Sequence, residues 1–442
     1  MSRGRQAFAL ALLFGLNFMN FYDRQVVGAV GERIKLDWRL SDGQLGALNM
    51  AFILLYAVVG LAFGRWADRG RRRVILGTGA ILWSAFTALS GVAWSFGALF
   101  LFRIGVGVGE ASCAPAANSL LGDLFPSGQR GRAISLFMLG LPLGGGASFL
   151  VSGAVAQLTG GWRPALFVAA LPGLLLGALA FLLPEPARGA AEPRMVAAAP
   201  LSRTGALELL RIPTLRWIIV SGALLNLILY ALTAFLASFL IRYHGLDIAE
   251  AGRAIAVLIG VGGSVGMLAG GWLGDRVARH GVEQRLRFVA ATLLIAAPAA
   301  WLALQQPRGA AAGFLALFLP ANLLFYTYYS SVYATIQEVV EPGRRATAMA
   351  VYFLVFYFAT AAGLYGFGRL SDLLASRGTA LGLTPADAAA QGIHGALYSV
   401  PIICLLLTLV LWAGSRTARA DQAAMQARLT GAAPVGHEAP AR

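Results

Sequence analysis

Charge is scarce in this chain. Only 12% of its 442 residues are Asp, Glu, Lys or Arg, whereas 58% are hydrophobic. Soluble domains carry about 25% charged residues, and a soluble protein this apolar would expose patches large enough to aggregate. The shortage of charge therefore argues against a soluble enzyme and indicates that lipid surrounds most of the chain.

Cysteine and histidine are also scarce. The two cysteines, Cys113 and Cys404, fall in apolar segments of opposite halves, which argues against a disulfide, and no metal-type spacing occurs. We predict no metal and no cofactor, and no loop of the G-x4-G-K-[ST] kind is present to draw energy from ATP. We expect the histidines in loops, where they would be poor ligands and would supply no catalytic base; they are His244, His280, His394 and His437. The chain is therefore predicted not to be an enzyme.

Long apolar runs are what the sequence has instead. Twelve segments approach the length of about 20 residues that a helix needs to cross a bilayer. Short alternating segments, which would indicate a membrane barrel, are missing. The first run is too long for a cleaved signal peptide and ends in polar residues. We predict an all-α membrane protein with twelve transmembrane helices.

The positive charges are distributed unevenly. With twelve spans, 24 of the 35 Lys and Arg residues fall on the side of both termini, nine fall on the other side, and Arg24 and Arg103 lie within spans. Because cytoplasmic loops carry the excess of Lys and Arg, we predict cytoplasmic termini in a bacterial-type inner membrane. The net charge of +15 then reflects orientation and contact with anionic lipid heads, and not a nucleic-acid partner.

A polar stretch divides the apolar segments into two groups of six. Residues 184–212 are rich in Pro, Ala and Arg and are interpreted as a cytoplasmic linker with a short surface helix near 202–211. We predict a first six-helix bundle over 1–183, a second over 213–414, and a flexible cytoplasmic tail over 415–442.

The two halves echo each other. "GRWADRGRRRVIL" (64–76) follows the second segment and "GGWLGDRVARHG" (270–281) follows the eighth, and both contain G-x-x-small-D-R. "DLFPSGQRGRA" (123–133) and "EVVEPGRRATA" (338–348) share an acid, a proline and paired arginines. Two matches in the same order at corresponding loops indicate duplicated halves.

The loop "GRWADRGRRR" resembles the sequence motif of the major facilitator superfamily between spans 2 and 3. This resemblance implies two six-helix bundles around a central cavity, with alternating access by rocking. Because a carboxylate is stabilised at a helix N-terminus, Asp68 is predicted to cap span 11 and Asp275 to cap span 5. The alternative is that these loops only set orientation. The predicted cytoplasmic gate comprises Asp68, Arg69, Arg132, Asp275, Arg276 and Arg345.

Four charged residues lie well inside the predicted spans: Asp23, Arg24, Arg103 and Glu110. A charge at mid-bilayer depth costs at least about 2.5–3.5 kcal/mol, so we expect these groups to border a wet chamber. Residues 103 and 110 are two helical turns apart and share a face, about 10 Å apart along the axis. On the first span, Asn17, Asn20 and Arg24 follow steps of three and four, so the quartet is predicted to form one site.

A narrower resemblance rests on "NFYDR" (20–24) and "RIGVGVGEASCAP" (103–115), which are similar to the spinster branch of the superfamily. That resemblance implies a substrate such as a lysophospholipid or a sphingoid phosphate. It also implies that Asp23, Arg24, Arg103 and Glu110 form the polar core of the site. The antiporter-type motif of span 5 is present only loosely, as "GLPLGGG" (140–146), so it does not indicate proton exchange.

The second half offers aromatic and amide side chains in place of deep charges. A cavity with one charged wall and one aromatic wall suits an amphipathic molecule. Across both halves, the predicted pocket-lining residues are Asn17, Asn20, Asn226, Tyr230, Asn322, Tyr326, Tyr329 and Tyr357.

The expected function is secondary transport of an amphipathic anionic lipid by a monomer, with protons as a coupled partner. An arginine would hold the anionic head group, and Glu110 or Asp23 would carry the proton. The alternative within the same fold is a proton-linked carrier of small organic anions or drugs. A further alternative is that the buried charges form static ion pairs that only fix helix register.

Overall fold

The computed structural model describes residues 3–125, 127–187, 208–341 and 344–430, and in these ranges the regular secondary structure is helical. Ten of the helices in the described ranges have the length and apolarity of a membrane span. Two N-terminal helices bring the number of long helical segments there to twelve. The first six are α1 (Arg3–Trp38), α2 (Asp42–Arg69), α3 (Arg72–Gly91), α4 (Phe96–Leu124), α5 (Ser127–Met138 continuing as Gly140–Thr159) and α6 (Arg163–Ala180). The second six are α7 (Pro213–Arg242), α8 (Ile248–Ala278), α9 (Val282–Leu304), α10 (Ala311–Val339), α11 (Arg345–Ala380) and α12 (Pro385–Leu397 continuing as Ser399–Thr430).

Local sequence sets where these helices begin. Ser41 caps α2 in a capping box with Gln44, and Asp247 caps α8 in the same way with Glu250. Each box satisfies backbone N–H groups that have no partner inside the helix. Large apolar side chains remain exposed along the outer helix faces, as lipid-facing positions require.

The packing of the first six helices is repeated by the second six. In the first half α3 packs along α4 and α6, and α1 packs along α5; in the second half α9 packs along α10 and α12, and α7 packs along α11. The halves meet where α2 packs on α11, α5 on α8, and α1 on α7. This pseudo-symmetry agrees with the sequence echoes.

Glycines permit the closest contacts between the halves. A Cβ added to Gly28 of α1 would lie 2.5 Å from the carbonyl oxygen of Thr233 on α7. A Cβ on Gly46 of α2 would overlap the carbonyl oxygen of Leu364 on α11. Small residues let membrane helices approach backbone to backbone, so these positions fix how closely the halves meet.

The two ends of the bundle are the terminal face and the distal face. The terminal face is the end where α1 begins and α12 ends, and the distal face is the opposite end. On the terminal face, Gln6 of α1 donates to the carbonyl of Leu124 at the end of α4, at 2.9 Å. On the distal face, the indole of Trp162 donates to Asp37 at 3.0 Å.

The last helix differs from the expectation at both of its ends. It extends to Thr430, so residues 415–430 are helical and not a flexible tail; the Ala- and Arg-rich sequence there favours helix. Asp421 in this extension accepts a hydrogen bond from the backbone N–H of Thr214 at 2.8 Å. Residues 431–442 and most of the predicted surface helix near 202–211 lie outside the described residues.

The start of α12 corrects the position of one histidine. Thr384 caps the helix and Pro385 follows at its first turn, so His394 lies in a helix and not in a loop. Its Nε2 is 2.8 Å from the carbonyl oxygen of Leu304. His244, in the loop after α7, is buried; burial and the neighbouring His394 lower the pKa of His244 to about 4.

Candidate functional site

The structure brings the four predicted charges together between α1 and α4. Asp23, Arg24, Arg103 and Glu110 are all buried, at 0–5% exposure, so in this conformation they do not border the wet chamber that the sequence predicts. Arg24 donates from Nε to Oε2 of Glu110 at 2.8 Å, which forms an ion pair between the two helices. The pair has charge-assisted geometry, so the deep charges form one connected cluster, as their spacing predicts.

Whereas Arg24 binds a carboxylate, Arg103 binds backbone carbonyls. Its Nη1 donates to the backbone carbonyl of Asp23 at 3.1 Å, and its Nη2 donates to that of Arg24 at 3.5 Å. Arg103 therefore ties α4 to the backbone of α1 at the two residues of that helix that carry the deep charges.

The carboxylates keep unused hydrogen-bonding capacity. Neither oxygen of Asp23 and only one oxygen of Glu110 accepts a hydrogen bond from the described residues. The indole nitrogen of Trp83 lies next to Asp23 without hydrogen-bond alignment. A buried carboxylate without partners is costly, so these oxygens are suited to take up a proton.

Aromatic rings surround the guanidinium of Arg24. Its Cζ lies 4.6 Å from the ring centroids of Phe21 and Tyr56 and 5.0 Å from that of Phe52. Such contacts are cation–π interactions, which gain strength when desolvated. This aromatic cage was not predicted from the sequence, because nothing in the apolar run of α2 indicates that it packs over Arg24.

The cage reaches the second half. Tyr56 of α2 packs on Tyr357 of α11 with ring centroids 4.8 Å apart. Tyr357 and Tyr230 of α7 both lie within electrostatic range of Arg24. Arg24 is therefore located where the two halves meet, and the structure places two of the predicted lining tyrosines beside it.

The predicted lining asparagines are buried and bind helix backbones. Asn17 donates to the carbonyl of Phe137 at 2.7 Å, and Asn20 donates to that of Glu110 at 3.4 Å. Asn322 donates to the carbonyl of Leu258 at 2.5 Å, and Asn226 to that of Gly222 at 2.7 Å. These contacts are interhelical for all but Asn226, so the amides hold helices around the site.

Tyrosines form the wall of the second half. Tyr329 donates to Oδ1 of Asn226 at 3.4 Å, and Tyr326 packs at Gly263 of α8. The hydroxyls of Ser221 and Tyr328 lie 2.7 Å apart, and the hydroxyl of Tyr352 is 3.5 Å from that of Tyr328. Tyr328 and Tyr352 were not among the predicted lining residues, and their full burial indicates a structural role for this chain of hydroxyls.

None of the three gate residues whose side chains the structure describes joins the two halves on the terminal face. Asp275 accepts from Arg285 at 2.9 Å within the second half, and its side chain is 76% exposed, so it does not cap α5 here. Arg276 lies 5.9 Å from the ring of Trp272, and Arg345 donates to the carbonyl of Val340. The side chains of Asp68, Arg69 and Arg132 lie outside the described part of the structure, and the latch stays a prediction for the opposite conformation.

On the terminal face of the first half, Arg72 forms ion pairs that correspond to those of Arg285 in the second half. Arg72 pairs with Asp123, and its Nε donates to Glu185 at 2.7 Å. Partial burial alone would raise the pKa of Glu185, but hydrogen bonds from Arg72 and from the backbone N–H of Arg73 outweigh it, and the pKa lies below its ordinary value. Whereas the ion pairs of Arg285 lie within the second half, these contacts of Arg72 join the first half to the start of the linker.

The halves are joined by polar contacts on the distal face. Arg242 of α7 forms ion pairs with Glu32 of α1 at 2.8 Å and with Asp42 of α2 at 2.9 Å. Lys35 also pairs with Asp42, at 2.5 Å. Hydrogen bonds between α11 and the start of α2 lie on this face as well. The molecule is thus closed at the distal face.

Known proteins resemble this chain over most of its length. The sequence profile of the Major Facilitator Superfamily matches residues 13–364. An "MFS-type efflux pump" of Mycolicibacterium smegmatis is 32% identical over 370 residues, which cover 83% of this chain and 84% of the pump. "Protein spinster homolog 1" of Mus musculus is 31% identical over 395 residues, covering 85% of this chain and 74% of the mouse protein.

Solved structures give the same result. A bacterial homologue of the human lysosomal transporter Spinster, inward-facing and unoccupied, has a TM-score of 0.83 and 27% identity. The match covers 95% of this chain and 99% of that structure. Its occupied inward-facing form has a TM-score of 0.84 and 26% identity. The chain is therefore not an enzyme but a membrane transporter that belongs to the major facilitator superfamily, in its spinster branch.

Proposed function

We propose that this transporter moves an amphipathic anionic lipid, of the lysophospholipid or sphingoid-phosphate kind, by alternating access coupled to protons. The observation that carries the proposal is the buried ion pair between Arg24 and Glu110 at the meeting point of the halves. One side of this point is charged, and the other is lined by Tyr230 and Tyr357. An amphipathic molecule needs both surfaces.

The cluster suggests how a proton and an anion are coupled. Two carboxylates and two arginines, when all are ionised, carry no net charge. An entering anionic head group adds one negative charge to a buried site, which is costly unless it is compensated. Protonation of Glu110 neutralises its carboxylate and so compensates the charge of the anion. It also releases Arg24, whose guanidinium then binds the head group as a fork. Proton and substrate therefore occupy the same state and travel together.

The proposed tail site lies on the second half. Tyr230 packs edge-on against Phe356, and Phe356 packs against Tyr357 with ring centroids 4.7 Å apart. Rings of this kind bury a large apolar area at low conformational cost. The acyl or sphingoid chain would lie along this wall while the head group binds Arg24.

A second function is supported by a named relative. The mycobacterial protein is an efflux pump by name, and Arg24 would bind the carboxylate of a small organic anion or drug as readily as a phosphate. The aromatic wall would then stack on aromatic rings of the drug. Protonation of Glu110 would release Arg24 in the same way in this alternative, and only the substrate differs.

Orientation and state complete the proposal. The excess of arginine near the terminal face supports a cytoplasmic position for that face in a bacterial-type inner membrane. The closed distal face and the likeness to inward-facing structures support a resting state that opens to the cytoplasm. We propose that one copy of the chain suffices for transport.

Uptake into proteoliposomes tests the substrate. A fluorescent lysophospholipid and an aromatic carboxylate are supplied under an imposed pH gradient, with the Arg24→Ala variant as the inactive form. Arg163→Ala is the matched control, because Arg163 pairs with Asp37 on the distal face within the first half. Gradient-dependent lipid uptake supports the proposal. Movement of the carboxylate alone selects the alternative, and equal activity of Arg24→Ala removes Arg24 from the site.

A further inference from the structure

The N-terminus of α2 is held by a residue of the other half. The carboxylate of Asp372, near the end of α11, accepts hydrogen bonds from the backbone N–H groups of Asp42 at 2.9 Å and Gly43 at 2.8 Å. Ser41 accepts from the third free group, that of Gln44, at 3.1 Å. The helix thus caps itself at one position and leaves two donors for Asp372.

Asp372 ends a partial third copy of the repeated motif, in which leucine replaces the final arginine. "GRLSD" (368–372) matches "GRWAD" (64–68) and "GWLGD" (271–275) in G-x-x-small-D. The first two copies end α2 and α8 on the terminal face, whereas the third lies near the end of α11 on the distal face. Its glycine serves a close contact, because a Cβ on Gly368 would overlap the carbonyl oxygen of Asp42.

Neighbouring groups strengthen the same contact. The side chain of Asp42 accepts from Ser371 at 2.7 Å and from Arg242 at 2.9 Å. Arg242 in turn binds Glu32 with two nitrogens. The end of α11 therefore meets α2 through backbone, hydroxyl and carboxylate, with Arg242 joining α7 to both α1 and α2.

We propose that Asp372 is a latch that holds the distal face closed, using on this face the motif that the sequence predicts for the terminal face. A helix N-terminus carries about half a positive charge, and hydrogen bonds to a carboxylate are stronger than neutral ones. Opening the distal face requires that both bonds break. The latch therefore favours the state described here over the state open to the distal side.

The pseudo-symmetric contact, between α5 and α8, lacks an acid equivalent to Asp372. On the pseudo-symmetric pair, Gly153 of α5 packs on the carbonyl of Ile248 at the start of α8, as Gly368 does at the start of α2. Four residues after Gly153 stands Gln157, where α11 has Asp372. The N-terminus of α8 is capped by its own Asp247. The latch is thus one-sided, and an acid at 157 should supply its missing counterpart.

The experiment measures the conformation and needs no substrate. Cysteines at Gly97 and Ala380, exposed on the distal face in opposite halves, carry spin labels, and the buried Cys113 and Cys404 are replaced by alanine. Pulsed dipolar spectroscopy then gives the distance distribution for the full chain in detergent. We expect Asp372→Asn to raise the ratio of open to closed distances about tenfold, because two charge-assisted bonds are weakened.

Two further variants keep the test decisive. Asp387→Asn is the matched control, because Asp387 pairs with Arg308 on the same face but within the second half, and it should leave the distribution unchanged. Gln157→Asp should lower the open fraction below that of the parent. A distribution for Asp372→Asn equal to that of Asp387→Asn overturns the proposal. If Asp372→Asn does not fold, an unchanged or larger open fraction in Gln157→Asp overturns it instead.

Discussion

The two halves share their helix packing but differ in what they bring to the centre. The four deep charges all belong to the first half, which also brings the aromatic cage and the amides of α1, whereas the second half brings phenol rings and amides without a deep charge. Arg24 is the point of contact, since its pair with Glu110 lies in the first half and its neighbours Tyr230 and Tyr357 lie in the second. Duplication therefore preserved the scaffold, while the two walls of the site became specialised for charge and for apolar surface.

The largest expected loss of transport comes from removing the side chain of Arg24. Arg24→Ala should lower transport at least about 100-fold, because it removes the group that binds the anion and leaves Glu110 buried without its partner. Initial uptake rates in proteoliposomes measure this. Arg24→Lys should recover only part of the rate, since a lysine lacks the planar fork. Full recovery by lysine would mean that charge alone is needed.

Removing Arg103, which ties α4 to α1, should have the next largest effect on transport. Arg103→Ala should abolish transport of anions while the protein still reaches the membrane, because α4 loses its hydrogen bonds to the backbone of α1 and the cluster loses a charge. Membrane yield and uptake are measured on the same preparations. Retained transport would show that transport needs neither the tether nor the charge of Arg103.

Neutralising the carboxylate that pairs with Arg24 should separate binding from coupling. Glu110→Gln should fold and bind substrate, but its uptake should become nearly independent of pH because the exchangeable proton is gone. Uptake is measured from pH 5 to pH 8 beside the parent protein. An unchanged pH profile would remove Glu110 from the coupling role and leave Asp23 as the remaining carboxylate.

Substitutions in the aromatic wall should have the smallest effect on transport. Tyr357→Phe keeps the ring that packs on Tyr56 and should alter transport less than about threefold, whereas Tyr357→Ala removes apolar contact area and should weaken apparent lipid affinity about tenfold. Concentration dependence of uptake measures both. Equal losses in the two variants would assign the effect to the phenol hydroxyl and contradict the division into a charged and an apolar wall.

The sequence predicts the helical architecture better than it predicts contacts. Hydropathy gives twelve helices, because each must be long and apolar to cross a membrane, and the spacing of Arg103 and Glu110 gives a shared face. Hydropathy misjudges both ends of α12, because Thr384 and the Ala-rich sequence beyond 414 extend the helix outside its apolar part. Capping and helix propensity determine those ends, and hydropathy does not register them.

Contacts between distant segments could not be predicted in the same way. The aromatic cage depends on the packing of α2 over α1, and the contact of Asp372 depends on where α11 meets α2. The motif at 368–372 is visible in the sequence, but it becomes informative only when the structure places it on the distal face. Deep charges are easier to recognise, because few side chains of that kind are tolerated in a membrane helix.

In the proposed mechanism, an anion replaces Glu110 as the partner of Arg24 when Glu110 takes up a proton. Calorimetric titration of the lipid into the purified protein, in buffers of different ionisation enthalpy near pH 7.5, counts the protons taken up on binding. The account predicts about one proton per bound anion in the parent and none in Glu110→Gln. Binding without proton uptake in the parent, or with equal uptake in both proteins, would contradict it.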